Sequence, residues 1–289
     1  MHNCERQNYL HGVLFYFSAH RAAPLDAPEN TLKAIHKAKK AGAKTIHCDL
    51  TFTSDGKAFA LRPSHLNELN KDTKTSEVSS MTSKEVSNVD VASNHPLKDE
   101  FSPAYPPKME EVLETIEKED LKLILDVALP YPMSLEILVD YVVNEIFAKK
   151  KDLYSKVVVT SAWPHVIYAI RHKEPRIVSG LIWKPNLLRT TFPKTYSTIV
   201  NYVAWIGDVL LSWAIHDFLW YFLGIAFIII DKNEIHAPYI QAWRTKGIRV
   251  ISSPVNKSLE RLYFEKHLRI SCMADTMDEI GIDKLLEDK

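Results

Sequence analysis

Residues 121–127 have the sequence Leu-Lys-Leu-Ile-Leu-Asp-Val, an almost wholly apolar run with a carboxylate next to its end. Runs of this kind are typical of parallel strands that are covered on both faces of a sheet. Comparable short runs alternate with amphipathic segments along the chain, which predicts an α/β fold. Strands are predicted at Leu14–Ala19, Thr45–Phe52, Ala58–Arg62, Leu121–Val127, Lys156–Ser161, Ile177–Ile182, Ala226–Ile230, Ile248–Ser252 and Arg269–Ala274. This many strand and helix pairs in 289 residues predicts a TIM (β/α)8 barrel.

Nine candidate strands compete for the eight positions of such a barrel. The five residues 53–57, Thr-Ser-Asp-Gly-Lys, are too few for a parallel crossover. The second and third candidates are therefore predicted to form a hairpin through the Asp55-Gly56 turn. We treat 1–289 as one barrel domain, in which the polar stretch 67–108 is a long insertion of the kind that barrel enzymes place near the mouth of the active site.

Composition excludes several classes of protein. The 36 basic and 36 acidic side chains give zero net charge, so nothing favours nucleic acid as a partner. Only 8 glycines occur and none lie close together, which excludes the glycine-rich loops that hold phosphates. The 3 cysteines lack the spacing of a metal-binding or disulfide framework. A phosphate site in this chain must therefore use side chains or a metal ion.

One apolar segment raises the possibility of a membrane contact. Residues 197–230 contain no Lys or Arg, and we predict an apolar helical insertion over 197–225. Asp208 and His216 interrupt the run of about 20 apolar residues that a spanning helix requires. A buried helix, an interfacial helix and a span are all open at this point. The five apolar residues Val13–Phe17 are too short for a signal-peptide core, so we expect a membrane-associated but otherwise cytoplasmic protein without a signal peptide.

Polar residues cluster at the ends of the predicted strands. His20 and Arg21 follow the first strand, and alternation within the second strand places His47 and Asp49 on one face. A carboxylate at the end of an apolar strand, such as Asp126, is costly unless it is paired or bound to a cation. Asp49 and Asp126 are thus a candidate metal pair, with His20 as base and Arg21 as phosphate ligand. The alternative is that these groups are structural, since carboxylates at strand ends often cap helices or form salt bridges.

These residues are also similar to a known family. His20-Arg21, Pro28-Glu29-Asn30-Thr31, Asp49 and Thr53-Ser54-Asp55-Gly56 follow the order found in the glycerophosphodiester phosphodiesterases. The resemblance extends over almost the whole chain through Gly42-Ala43, Pro107, Glu111, Asp126-Val127, Val255-Asn256 and Asp275. Ser212-Trp213, His216, Leu219-Trp220-Tyr221 and Trp243 resemble the animal phosphodiesterase 1 branch in particular, which is membrane-associated.

The resemblance implies a barrel of the phospholipase C-like phosphodiesterase type that hydrolyses glycerophosphodiesters to glycerol 3-phosphate and an alcohol. In that family two histidines act as acid and base, while a Glu-x-Asp pair and a later carboxylate hold Mg, Ca or Mn. An Arg and a Lys neutralise the phosphate, and the glycerol hydroxyl of the substrate attacks phosphorus. His20 matches the first histidine, Arg21 the arginine, Asp49 the second member of Glu-x-Asp and Asp126 the later carboxylate.

The chain departs from the family pattern at chemically important positions. His47 replaces the Glu of the metal pair, and an imidazole ligand is expected to shift the preferred ion toward Mn or Zn. Arg62 replaces the second histidine and stays protonated, so it is expected to bind substrate phosphate and cannot act as a base. Ala128 replaces the lysine. Among nearby histidines, His65 is the candidate substitute for the missing acid.

The glycine pair that usually follows His-Arg is Ala22-Ala23 in this chain. We expect the two added methyl groups to lie beside the phosphate position. Two functions follow from these departures. The first is a glycerophosphodiester phosphodiesterase-like hydrolase with weak turnover, in which His20 and Arg21 are catalytic, Arg21 and Arg62 bind substrate, and His47, Asp49 and Asp126 bind the metal. The alternative is a catalytically inactive barrel that binds phosphodiesters or a membrane partner.

Overall fold

The structure is a computed structural model that describes residues 17–64, 66–73, 75, 77–128, 134–191 and 198–277. Nine strands occur in these ranges, one at each predicted place. They are β1 Ser18–Ala19, β2 Thr45–Phe52, β3 Ala58–Ala60, β4 Lys122–Val127, β5 Val157–Ser161, β6 Ser179–Ile182, β7 Phe227–Asp231, β8 Arg249–Ser253 and β9 Ser271–Ala274. Most begin or end within a few residues of the predicted bounds, and residues 14–16 of the first candidate lie outside the described residues.

Eight parallel strands close into a barrel. The order is β1-β9-β8-β7-β6-β5-β4-β2, and β1 pairs with both β9 and β2, which completes the ring. The ninth strand, β3, runs antiparallel to β2 and aligns Ala60 with Leu50. The predicted hairpin through Asp55-Gly56 is therefore confirmed, and β3 is the strand that does not belong to the barrel wall.

Helices pack between successive strands. They span Leu32–Lys40, Met109–Lys118, Leu135–Asp140 with a π-helical continuation over Tyr141–Ala148, Pro164–Lys173, Leu187–Thr191, Thr198–Ala214, Ala237–Thr245 and Ser258–Leu262 with a π-helical continuation over Tyr263–Leu268. The amphipathic pattern predicts the first helix over Glu29–Lys40, with Pro28 and Glu29 at its start. The helix begins later, at Leu32, because Thr31 is its N-cap and accepts a hydrogen bond from the Ala34 amide at 3.1 Å. Glu29 and Asn30 are thereby left in the loop that follows β1.

The barrel is filled by side chains. Ile124, Val158, Phe227, Ile251 and Met273 belong to one cluster contributed by β4, β5, β7, β8 and β9, and all are buried. A second and larger layer packs the outer faces of the strands against the helices. The interior is thus a packed core, and any cavity must lie at one end of the strands.

The polar insertion is well packed. It contains short helices at Leu66–Leu69, Ser83–Val86 and Lys98–Phe101, and its apolar residues Val78, Val86 and Phe101 join the main core. The imidazole of His95 lies 2.8 Å from the Pro24 carbonyl oxygen, on the loop after β1. The insertion therefore covers that loop on the side of the barrel where the strands end.

The apolar segment forms a helix that starts at Thr198, continues through a π-helical stretch at Ile215–Leu219 and ends at Leu223. It is 26 residues long and apolar enough to cross a membrane by length and composition. Gly224 adopts a left-handed conformation with φ of 59° and separates the helix from β7. The isoleucines at 228–230 are therefore strand residues, and the helix is a separate element.

Candidate functional site

A cavity of about 180 Å³ lies at the carboxyl ends of the barrel strands. Parallel strands direct their last residues to this end, which is where barrel enzymes place their active sites. Five of the predicted site residues line the cavity together: His20, Arg21, His47, Asp49 and Asp126. The structure thus brings these five residues together at one cavity, and their roles stay predictions.

Three of these side chains form a group that could hold a metal ion. One ligand atom from each of His47, Asp49 and Asp126 lies within 4.8 Å of the others. The cause is the strand register, because Asp49 of β2 is aligned with Asp126 of β4 and His47 is two residues earlier on the same face. One neutral imidazole and two carboxylates suit a divalent cation.

Asp49 is held by its neighbours in a fixed orientation. The Asn30 side-chain amide donates to Asp49 Oδ2 at 2.9 Å, and Asn30 Oδ1 accepts from the Asp49 backbone amide at 3.1 Å. Although burial opposes ionisation, the positive charge of Arg21 keeps the pKa of Asp49 below its usual value. Asp49 is therefore a charged carboxylate, with Oδ1 directed away from the Asn30 contact.

His47 is buried and neutral. Burial and the neighbouring His20 lower its pKa to about 3. Its Nδ1 lies 3.4 Å from the backbone amide of Arg21 and can accept a hydrogen bond from it, which leaves Nε2 as the ligand atom. The neutral form is the one that binds metals, so the observed environment fits a ligand role.

Asp126 has the opposite electrostatic environment from Asp49. Burial and the nearby Asp49 carboxylate raise its pKa to about 7. Two carboxylates in one site repel each other when both are charged. A divalent cation would relieve that repulsion, and this is the best physical indication that the group fits a metal ion.

His20 forms a pair with an acid from the other end of the chain. Its Nδ1 lies 2.7 Å from Asp275 Oδ1, and both side chains are partly buried. Asn256 fixes Asp275 in the way that Asn30 fixes Asp49, since its amide donates to Oδ2 at 2.9 Å and its Oδ1 accepts from the Asp275 amide at 2.8 Å. Although burial opposes it, the bonds from His20 and Asn256 lower the pKa of Asp275. The carboxylate thus accepts from Nδ1–H and leaves Nε2 of His20 for proton transfer.

Arg21 lies between the metal group and the loop after β1. Its Nε is 3.2 Å from Asp49 Oδ2, yet this buried nitrogen makes no hydrogen bond of acceptable geometry. Although burial opposes it, the carboxylates of Asp49 and Glu29 raise the pKa of Arg21. A charged guanidinium with unused hydrogen-bonding capacity can bind an anion that enters the cavity.

Three successive residues at this point have left-handed backbone conformations. The φ angles are 46° for Arg21, 60° for Ala22 and 66° for Ala23. Ala22 and Ala23 are buried in the core, and neither lines the site cavity. The expectation that their methyl groups lie beside the phosphate is not supported by this placement. Their effect is backbone strain, because a β-carbon is disfavoured in this region.

Arg62 lies next to the cavity and does not line it within the described part of the chain. Its Nε donates to Glu29 Oε1 at 2.5 Å and its Nη1 to Glu68 Oε2 at 3.2 Å. Glu29 is buried and also approaches Arg21 Nη1 at 3.7 Å, so one carboxylate serves two arginines. The predicted binding of substrate by Arg62 is therefore not evident in this arrangement. His65 lies outside the described residues.

Sequence reasoning missed several residues that line the cavity, among them Trp183, Lys184 and Asp231. Lys184 and Trp183 directly follow β6 and line the cavity beside Asp126. Lys184 partly offsets the rise in the pKa of Asp126 and thus supplies positive charge on the side where Ala128 lacks it. Their position directly after a predicted barrel strand was a usable signal, since residues at that end face the site.

A scan against family models identifies one match. The model of the glycerophosphoryl diester phosphodiesterase family covers residues 20–263. Among curated proteins, glycerophosphodiester phosphodiesterase 1 of Mus musculus is 33% identical over 265 residues, which is 90% of this chain and 78% of that protein. The Homo sapiens protein of the same name is 31% identical over the same shares.

Solved structures agree with the fold. The Oleispira antarctica phosphodiesterase in complex with the product sn-glycerol-3-phosphate has a TM-score of 0.72 at 18% identity, covering 96% of this chain and 98% of its own. A Silicibacter pomeroyi protein described as a glycerophosphoryl diester phosphodiesterase has a TM-score of 0.73 at 16% identity, covering 97% of each chain. At these identities the structural likeness establishes the barrel architecture alone.

Proposed function

The chain belongs to the glycerophosphoryl diester phosphodiesterase family, and from this premise we propose that its cavity hydrolyses a glycerophosphodiester to glycerol 3-phosphate and an alcohol. One observation supports the proposal above all. The His20–Asp275 pair faces the group of His47, Asp49 and Asp126, with the His20 and His47 ring centroids 5.0 Å apart. A phosphate between them would meet a proton-transfer group on one side and a cation site on the other.

Each residue has a role that follows from its surroundings. The reaction replaces the phosphorus–oxygen bond of the leaving alcohol with a bond to the attacking oxygen, and protons must move at both oxygens. His20 exchanges a proton at Nε2, because Asp275 occupies Nδ1. Arg21 and Lys184 supply positive charge to the phosphate. A divalent ion held by His47, Asp49 and Asp126 would supply Lewis-acid polarisation of a phosphate oxygen.

The rate is expected to be low. Arg62 is bound to Glu29 and Glu68 and cannot exchange protons, so one of the two acid–base groups of the family is missing. Loss of such a group costs about 10²–10⁴-fold in rate. Lys184 compensates in part for the charge absent at Ala128, which makes residual turnover reasonable.

A hydrolysis assay with glycerophosphocholine and glycerophosphoinositol tests the proposal in the presence of Mg²⁺, Ca²⁺, Mn²⁺ or Zn²⁺. Product release should fall by about 10²-fold or more in His20→Ala. The control is His36→Ala, which removes an exposed imidazole on the helix Leu32–Lys40 that does not line the cavity. Equal activity of His20→Ala and the native chain, or no turnover with any of the four ions, contradicts the hydrolase.

The second candidate function is an inactive barrel that binds phosphodiesters. The ion pairs of Arg62 with Glu29 and Glu68 favour this candidate. Arg62 stands where the family has its second histidine, and there it makes a structural contact. Calorimetric titration with glycerophosphocholine should then give saturable binding without product. Arg21→Ala should weaken that binding, since the charged Arg21 side chain lines the cavity.

A restoration experiment separates the two candidates. The triple variant His47→Glu, Arg62→His, Ala128→Lys reinstates the family residues. If the barrel is only impaired, turnover should rise by about 10²-fold or more. If the scaffold has lost the reactive geometry, the triple variant stays inactive while native binding persists. Circular dichroism of the variant provides the control for folding, because Arg62→His removes the ion pairs of Arg62 with Glu29 and Glu68.

We further propose that the ion is Mn²⁺ or Zn²⁺ and not Mg²⁺ or Ca²⁺. Imidazole is a good ligand for the first pair, whereas the second pair prefers oxygen. Competition calorimetry on the metal-free protein should show tighter binding of Zn²⁺ than of Mg²⁺. His47→Glu should reduce the ratio of the two affinities. An unchanged ratio in His47→Glu would exclude His47 as the residue that sets the preference.

Membrane association through the helix Thr198–Leu223 is the remaining proposal. Its outward face is apolar and aromatic, with exposed side chains at Ile199, Tyr202, Val203, Leu210, Trp213, Tyr221 and Phe222. Two of its polar residues face the protein, since buried Asp208 accepts a hydrogen bond from the Leu188 amide at 2.8 Å and His216 bonds to the Tyr239 hydroxyl at 2.7 Å, whereas Asp217 is exposed near the end of the helix. A helix with one face on the barrel and aromatic side chains on the other suits the interface of a bilayer better than a span.

Vesicle flotation tests this arrangement. Val203→Glu/Leu210→Glu should release the protein from phosphatidylcholine vesicles, because two charges would enter the apolar layer. Ile137→Glu/Leu259→Glu, which replaces two exposed apolar residues on other helices, should bind as the native chain does. Alkaline carbonate extracts an interfacial protein and leaves a spanning one in the membrane, so resistance to extraction would contradict the interfacial arrangement.

A further inference from the structure

A second and larger cavity lies at the opposite end of the barrel. It has a volume of about 840 Å³ and is lined by the first residues of β8 and β9, Arg249 and Ser271, and by Phe17 just before β1. These are the amino ends of the strands, whereas the proposed active site is at the carboxyl ends. We call this space the basal cavity.

Positive charge dominates the lining of the basal cavity. Five of its residues are cationic and one is acidic within the part of the chain that the structure describes: Arg244, Arg249, Arg261, Lys266, Arg269 and Glu265. The whole protein has zero net charge, so this local excess is not a consequence of composition. Like charges brought together repel one another, and an anion between them would relieve the repulsion.

Two of these cations are held in place by their contacts, Arg244 by neutral groups and Arg261 by an aromatic ring and one carboxylate. Arg244 Nη2 donates to the carbonyl oxygens of Leu268 and Arg269 at 2.6 and 2.9 Å, which are neutral acceptors. The guanidinium carbon of Arg261 lies 3.6 Å from the centroid of the Phe17 ring, and its Nε contacts Glu265 at 3.3 Å. Glu265 therefore forms an ion pair with Arg261, and no other carboxylate lines the described part of the cavity.

Two further cations that line the basal cavity belong to different elements. Arg249 is the first residue of β8, and burial lowers the pKa of its guanidinium. Arg269 ends the helical segment in a left-handed conformation with φ of 53°, which is unfavourable for a side chain of this kind and directs the chain back toward β9. The partial burial of Arg249 has already removed some of its hydration, so less hydration is lost when this residue binds an anion.

From this arrangement we propose that the basal cavity binds a phosphate group that carries at least two negative charges. Arginine forms paired hydrogen bonds to phosphate oxygens, and several arginines around one space are the usual means of recognising such groups. Phe17, Ile248, Val250 and Ile270 add an apolar wall that suits the organic portion of the ligand. The phosphate could belong to a soluble phosphomonoester or pyrophosphate, or to the headgroup of an anionic lipid.

The test uses the full-length protein and two probes. Calorimetric titration with pyrophosphate represents the soluble source, and flotation with phosphatidylcholine vesicles, with and without phosphatidic acid, represents the lipid source. The variant Lys266→Gln/Arg269→Asn changes two exposed residues, and Asn tolerates the left-handed conformation at 269. This variant should weaken pyrophosphate binding, or the phosphatidic-acid-dependent part of vesicle binding, by about tenfold or more.

Three controls make the outcome specific. Lys84→Gln/Lys98→Gln removes two exposed charges from the polar insertion and should leave binding unchanged. Arg21→Ala removes a phosphate-binding group of the proposed active site, so a loss of binding in Lys266→Gln/Arg269→Asn that recurs in the Arg21→Ala background belongs to the basal cavity and is independent of turnover. Arg249→Gln removes the positive charge that β8 contributes to the same cavity. Absence of saturable binding to both probes, or equal affinity in the native chain, Lys266→Gln/Arg269→Asn and Arg249→Gln, would overturn the proposal.

Discussion

At the scale of single residues, the site is built from pairs in which a second residue fixes the first. Asn30 holds Asp49, Asn256 holds Asp275, and Asp275 in turn orients His20. These asparagines explain why the Pro-Glu-Asn-Thr and Val-Asn motifs contain an amide, since each makes the same two-point contact with an aspartate. The reactive groups thus have defined orientations before any ligand binds.

The left-handed residues after His20 predict an unusual response to glycine. Replacing buried Ala34 by Gly in the helix Leu32–Lys40 should lower the free energy of unfolding by about 2 kcal/mol, through loss of a buried methyl group and a larger unfolded-state entropy. Ala23 is equally buried, yet its φ of 66° carries strain of about 1–2 kcal/mol that Gly relieves. Ala23→Gly should therefore cost less than about 0.5 kcal/mol in urea unfolding. Equal losses for the two variants would contradict the strain.

Asp126 and Asp275 predict opposite pH dependences in the metal-free protein. The pKa of Asp126 is raised to about 7, above its unfolded value, so its contribution to stability is present in acid and is lost as the pH rises through 7. Asp126→Asn should accordingly be more stable than the native chain at pH 8 by about 1 kcal/mol, a modest value because the side chain is partly exposed, and the gain should vanish near pH 4.

Asp275→Asn serves as the matched control, because its pKa is lowered. Its stabilising contribution is present above the unfolded pKa and disappears as the pH falls, so this variant should be less stable at pH 8 and close to native in acid. Chemical denaturation in the presence of EDTA measures the free energy of unfolding of both variants. A gain in Asp126→Asn that does not depend on pH would indicate a packing effect instead of ionisation.

At the scale of secondary-structure elements, the register between strands determines which side chains meet. Asp49 and Asp126 are aligned in the β2–β4 pair, so a shift of either strand by one residue would move its carboxylate to the opposite face. The same principle applies in the barrel interior, where Gly180 of β6 is aligned with Phe227 of β7. The aromatic ring occupies the space above the glycine.

That contact predicts a specific cost for enlarging Gly180. A β-carbon at this position would lie 2.3 Å from the Phe227 ring, which is fully buried and cannot move without displacing the core. Gly180→Ala should lower stability by about 1–3 kcal/mol, and Phe227→Leu should reduce that loss in the double variant. Gly207→Ala is the control, because its nearest neighbour is the end of the flexible Leu188 side chain. Thermal unfolding that ranks the two variants equally would contradict the overpacking.

At the scale of the whole molecule, the two ends of the barrel have opposite chemistry. Carboxylates, imidazoles, Arg21 and Lys184 line the cavity at the carboxyl ends of the strands, whereas cations predominate in the basal cavity at the amino ends. The zero net charge of the chain therefore conceals a local excess of positive charge at the amino ends. A helix with an exposed apolar face adds a third surface, distinct from both cavities.

Metal binding is predicted to stabilise the whole fold, because the ligands come from β2 and β4 and the ion binds only when these strands are paired. Mn²⁺ or Zn²⁺ at about 100 times its dissociation constant should raise the free energy of unfolding by about 2.7 kcal/mol, a shift of about 5–10 °C in Tm for a chain of this size. Scanning calorimetry before and after EDTA measures the shift. It should disappear in His47→Ala and persist in His36→Ala, and a shift that survives His47→Ala would place the ion elsewhere.

The amino-acid sequence by itself determined the elements and the family. Nine strands, the hairpin through Asp55-Gly56 and five residues of the site follow from local patterns and motifs, because alternation and turn chemistry depend on neighbours in the chain. The exact start of the first helix did not follow, since Glu29 and Asn30 bind partners at the site in place of extending the helix.

Only the tertiary structure decided how the long-range pairs form. His20 meets Asp275 across 255 positions, and Arg62 is bound by Glu29 across 33. The closure of the barrel also brought Lys184 into the site and gathered five cations into the basal cavity. The physical reason is that charge and hydrogen bonding act through space. Their partners are set by strand order and register, which no local pattern contains.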